Sequence, residues 1–125
     1  MRFPDKLDVL TIHARLIEET GGSSGLRDQG SLESALAAAE NRYNYEKADL
    51  ITCAATYAFH LTQAHAFIDG NKRIAAAITE TFLESNGSEL TMTNNEVVQL
   101  FLNIAAGRLT REDVEEKLRS TTRSN

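Results

Sequence analysis

A chain of 125 residues, 42% apolar and 25% charged, has the make-up of one globular domain and is long enough to bury its own core. Its net charge of −5, from 18 acids against 13 Lys and Arg, argues against general nucleic-acid binding, which draws on cations set against phosphates. No run of ~18 apolar residues is present to cross a bilayer, and the lone Cys53 excludes an internal disulfide or a cysteine metal site.

The start, MRFPDKLDVL, is acidic and lacks the apolar stretch of a signal peptide, so the expected location is the cytoplasm. Pro4 suits the opening turn of a first helix, with Leu7, Leu10, Ala14 and Ile17 on one stripe and Gly21-Gly22 as its stop. GGSSGLRDQG, Gly21 to Gly30, holds four of the seven glycines and reads as a mobile surface loop. Ser31 is a good N-cap for a second helix through Leu32, Ala35, Leu36 and Ala39. Asn41 to Asp49 reads as a connection. Leu50 to Ala64 is the most apolar helix, and Arg73 to Ser85 follows it across a turn at His65. SELTMT is a candidate extended segment. Asn94 opens a fifth helix ending at Gly107, and Thr110 with Asp113 resembles a capping box for a sixth, Arg111 to Arg119. The polar tail, 120–125, is expected to fray. The predicted architecture is an all-α, single-domain bundle over 1–125, about six helices with the two flanking His65 at its centre.

The joint between those two helices, HAFIDGNKR from His65 to Arg73, packs a histidine, an acid, an amide and two cations into nine residues. If Asp69-Gly70-Asn71 opens a helix, its free N–H groups and the positive end of its dipole make a phosphate site. Gly70 lets a ligand approach the backbone, Asn71 adds a side-chain donor, and Lys72 and Arg73 add full charges. Asp69 is an odd neighbour for a bare phosphate. A carboxylate beside several phosphates is, however, how magnesium is usually held. His65 has the side chain suited to act as a general base near neutrality. Together these describe phosphoryl or nucleotidyl transfer.

HAFIDGNKR resembles the signature of the Fic/Doc superfamily, His-x-Phe-x-(Asp/Glu)-Gly-Asn-(Gly/Lys)-Arg. GLRDQGSLESALA, FLESNG and AAGRLTREDVEEKL resemble its Doc branch, so the likeness covers nearly the whole chain. The resemblance implies the Fic fold, with the active loop between two central helices, and it implies ATP and magnesium as cofactors. His65 would then be the base that deprotonates a target hydroxyl. Phe67 would anchor the loop, Asp69 would hold magnesium, Gly70 and Asn71 would form the anion cradle, and Arg73 would contact phosphate.

Two departures bear on the chemistry. AMP-transferring members mostly carry glycine where this chain has Lys72, and a second arginine where it has Ala76. Lys72 is the form of Doc toxins, for which the resemblance implies transfer of the γ-phosphoryl group of ATP to a threonine of elongation factor Tu. By that resemblance a long cation in place of glycine would fill the space that an AMP α-phosphate needs. The alternatives are AMP transfer and, in another class, a non-catalytic nucleotide-binding module. The self-inhibitory (Ser/Thr)-x-x-x-Glu-(Gly/Asn) run of the family is missing, since SNGSEL ends in leucine, so inhibition is expected from a Phd-like antitoxin. In the family the glycine-rich segment docks the target; here it is equally readable as a connector. His13 reads as a surface or packing residue and Cys53 as inert core. His60 and His65 diverge by roughly 140° on a helix, which disfavours a shared transition metal.

Overall fold

A computed structural model describes all 125 residues. The elements run α1 (Lys6–Thr20), α2 (Gln29–Glu46), α3 (Leu50–Ala64), α4 (Asn71–Ser85), β1 (Ser88–Leu90), α5 (Asn94–Ala105), α6 (Arg111–Ser120) and β2 (Thr122–Ser124). The all-α expectation with six helices holds, and β1 falls in the segment expected to be extended.

α3 is the axis of the bundle and packs on α2, α4, α5 and α6. Its buried residues, Cys53, Ala54, Ala55, Thr56, Tyr57, Ala58, Leu61 and Thr62, leave hardly a solvent face. A helix apolar on most sides is stable only when surrounded, and its alanines let the neighbours come close. The hydroxyls of Thr56 and Thr62 donate to the carbonyls four residues back, so neither is stranded in the core. All six helices feed one core cluster, from Val9 on α1 to Leu118 on α6. Cys53 lies fully buried in it, and burial pushes its thiol up to about 11. It is core, as its sequence context indicates.

Three sequence expectations are corrected. The core stripe of α1 is Val9, His13 and Ile17, while Leu7 points outward, 72% exposed. α2 is capped by Asp28 rather than Ser31 and runs to Glu46 through the expected connection. Its extra turns are held by Tyr43 packing edge-on against Phe3 and by Arg42 donating to Thr56 Oγ1. The tail does not fray: β2 pairs antiparallel with β1, Glu89 opposite Arg123, and these two side chains form an ion pair of 2.7 Å. The Asn125 N–H then donates to the Gly87 carbonyl. Smaller shifts move the start of α4 back to Asn71 and the cap of α5 to Thr93. The Thr110–Asp113 capping box is present.

Candidate active site

α3 ends on His65, which sits in the left-handed region at φ 48°, ψ 42°. Only one other non-glycine residue, Lys47, has a positive φ. Such a conformation costs about 1–2 kcal/mol for a residue with a Cβ, so the structure around it must hold the turn in place. The surroundings do so on two sides. The segment after α1 runs alongside the turn: Arg27 N–H and Asp28 N–H both donate to the Ala66 carbonyl, and Ile68 N–H donates to the Gly25 carbonyl. Leu26 and Phe67 form an antiparallel bridge between the two strands of chain. The glycine-rich segment expected to be a mobile loop is therefore a brace on the joint. From below, the buried Phe67 ring stacks on His13 at 3.8 Å between centroids. The His65 side chain is left exposed at the rim, with no hydrogen bond to the rest of the chain.

The joint closes on Gly70, in the left-handed region at φ 77°, which begins α4 with no side-chain cap. The N–H groups of Asn71, Lys72 and Arg73 make no hydrogen bond within the chain and open at the helix mouth. Lys72 beside them is exposed and unpaired. Asp69 accepts from its neighbour Gly70 N–H at 2.8 Å and from Ser23 N–H at 3.3 Å. The Gly70 amide chiefly, then the Ser23 amide, hold its carboxyl below the usual range, with the Arg73 charge adding. Arg73 donates to Thr20 Oγ1 and to the Gly21 carbonyl, and lies 3.5 Å from Asp69. A Cβ on Gly22 would come within 2.5 Å of Asp69 Oδ2, so glycine is what lets the brace close over this pair.

Of the residues expected at the site, Asp69, Gly70, Lys72 and Arg73 come together at the mouth of α4, and His65 stands at the far end of the same short loop. Asn71 differs from expectation. Its side-chain oxygen accepts from Phe67 N–H and its amide donates to the Phe67 carbonyl, so the group shapes the loop, and only its backbone N–H faces the mouth. Sequence reasoning missed His13, Thr20 and Ser23. His60 is elsewhere: its Nε2 accepts from Arg111, and burial chiefly holds its pKa down.

Free backbone donors, an unpaired ammonium and a half-exposed carboxylate suit a phosphorylated ligand with a divalent cation. No three His, Cys, Asp or Glu side chains cluster to hold a metal by themselves, so a cation at Asp69 would take its other ligands from phosphate and water.

The Fic/DOC family model matches residues 3–83. Protein kinase doc of Escherichia phage P1 is 30% identical over 120 residues, spanning 95% of this chain and 94% of that relative.

Proposed function

The chain belongs to the Fic/DOC family, and from that premise we propose that it transfers the γ-phosphoryl group of Mg-ATP to a protein hydroxyl. We assign it the role of a cytoplasmic toxin restrained by a Phd-like antitoxin, with a threonine of elongation factor Tu as its target. The observation that carries the reading is the uncapped start of α4, where three free amides and Lys72 lie beside Asp69. The kinase name of the phage relative supports the same direction.

In this reading the N–H groups of Asn71, Lys72 and Arg73 bind phosphate oxygens, and Asp69 holds the magnesium. Mg-ATP, when bound, supplies the phosphoryl group and the cation that offsets its charge. Arg73 stands ready to turn from Thr20 and Gly21 toward phosphate. His65 accepts the proton of the attacking hydroxyl, and its exposure at the rim leaves it open to a protein substrate. The brace at Gly25 to Asp28 is the edge along which an extended target segment would lie. The Lys72 ammonium takes the place where glycine admits an α-phosphate in AMP-transferring relatives, and Ala76 leaves out their second arginine.

The test uses ATP labelled separately at the α and γ phosphorus, incubated with the protein and cell extract. Label from the γ position should reach protein, and Lys72→Gly should weaken that transfer without a full switch to AMP. A gain of AMP on the target of the wild-type protein overturns the reading in favour of AMP transfer. Binding of ATP with no label on any protein leaves only the regulatory module.

A further inference from the structure

We propose that His13 is a positioning residue of the cradle: a hydrogen-bond donor built into α1 that fixes the peptide between Asp69 and Gly70, and through it the Asp69 carboxylate. This rests on the assignment of the loop as the metal and phosphate site.

His13 lies on the core stripe of α1 and is 3% exposed. Its Nε2 is 2.7 Å from the Asp69 carbonyl oxygen. A carbonyl only accepts, so Nε2 carries the proton and donates. No other group in the chain donates to that oxygen. The ring face stacks on Phe67, interplanar angle 15°, so one side chain grips the loop at two residues. The backbone also rests on α1 itself: a Cβ at Gly70 would lie 3.2 Å from Ile17 Cδ1 and 3.4 Å from His13 Nε2.

The consequence follows from peptide geometry. No peptide bond in the chain is cis, and in a trans peptide the C=O and N–H point in opposite directions. Holding the Asp69 carbonyl down onto His13 therefore turns the Gly70 N–H the other way, where it donates to Asp69 Oδ1 at 2.8 Å. His13 thus aims a carboxylate it does not touch. Filling the space under Phe67 would require only an apolar ring; the directed N–H is what a histidine adds. Groups that hydrogen-bond a metal ligand directly typically change metal affinity or activity by about 10- to 100-fold when lost, and His13 acts one peptide further out, which sets that range as its upper bound.

The test compares His13→Phe, which keeps the stacking ring, with His13→Gln and His13→Asn. The glutamine amide nitrogen reaches the place of Nε2; the asparagine one stops a bond short. Calorimetric titration of Mg-ATP into the ligand-free protein should show binding weakened by up to about 10- to 100-fold in Phe and Asn and largely restored in Gln. Amide exchange at Phe67 and Gly70 should be faster in Phe and Asn than in Gln. Wild-type affinity and exchange in His13→Phe, or a Gln variant no better than Asn, overturns the assignment. Should His13→Phe fail to fold, the Gln–Asn pair decides alone. His65→Ala separates this from the proposed function: it should bind Mg-ATP normally and transfer ~10²–10⁴-fold more slowly. If His65→Ala transfers normally, the catalytic reading falls, while the exchange rates still report on His13.

Discussion

Five of the six helices begin in one way and the sixth in another. α1, α2, α3, α5 and α6 each open on an Asp or Thr whose side chain accepts a backbone N–H from the first turn, and three of them complete a capping box. α4 opens on a glycine and caps nothing. A side-chain cap is worth about 1 kcal/mol, and this chain supplies one at every other start, so its absence at α4 leaves donors free for the phosphate that the proposed function places there. The same joint carries the strained His65 turn, while the capped starts have ordinary extended backbone. One region is arranged for stability; the other leaves its donors free, as the proposed phosphate site needs.

The largest effect should come from breaking the ligand side. His65→Ala should lower transfer by ~10²–10⁴-fold with little loss of thermal stability, because the ring is exposed and makes no hydrogen bond within the chain. Paired measurements of label transfer and unfolding midpoint check it, and full transfer by the variant would remove His65 from catalysis. The converse substitution is Thr110→Ala, which should cost about 1 kcal/mol, or about 3–6 °C in midpoint, and leave transfer unchanged. Circular dichroism melts beside the same transfer assay would show it; a loss of activity without a loss of stability would contradict the division between the two regions.

The smallest effect concerns Asp49, which caps α3 and also pairs with Arg119. The Arg119 hydrogen bond chiefly, then the Thr52 amide, lower its pKa to about 2. A depressed carboxylate pKa means the contribution is present above the ordinary value and lost as pH falls toward the folded one. The stability gap between wild type and Asp49→Asn should hold from neutrality down to about the ordinary carboxylate pKa and close between there and about 2. The pair is more than half exposed on the Asp49 side, which keeps it near the ~0–1 kcal/mol of surface ion pairs. Acid titration followed by melts reads the window.

Helix existence was legible wherever apolar residues recurred with the right period, and α3 matched its expected limits at both ends. The grouping of ionisable residues at the joint was legible because they fall within nine residues of sequence. The misses have separate physical causes. The stripe read on α1 follows Leu7 and Leu10 and leaves His13 as a surface or packing residue; yet His13 stands four residues from both Val9 and Ile17, the spacing of a helix face. The far end of α2 is polar and carries two asparagines, and tertiary packing of Arg42 and Tyr43 overrides that local preference. The brace at Gly25 to Asp28 and the pairing of β2 with β1 use backbone groups, which every residue has, so side-chain pattern does not announce them.

The stitch between β2 and β1 also fixes where the chain's last residue lies. Asn125 is tied to Gly87, just past the far end of α4, whereas the cradle opens at its near end. Fifteen residues of helix, at about 1.5 Å each, set roughly 20 Å between the two. A fluorophore or surface-immobilisation handle carried at Asn125 would thus stand off from the proposed site, within range of energy transfer to a labelled nucleotide held there. That geometry offers an optical ruler along α4 for watching ligand arrive.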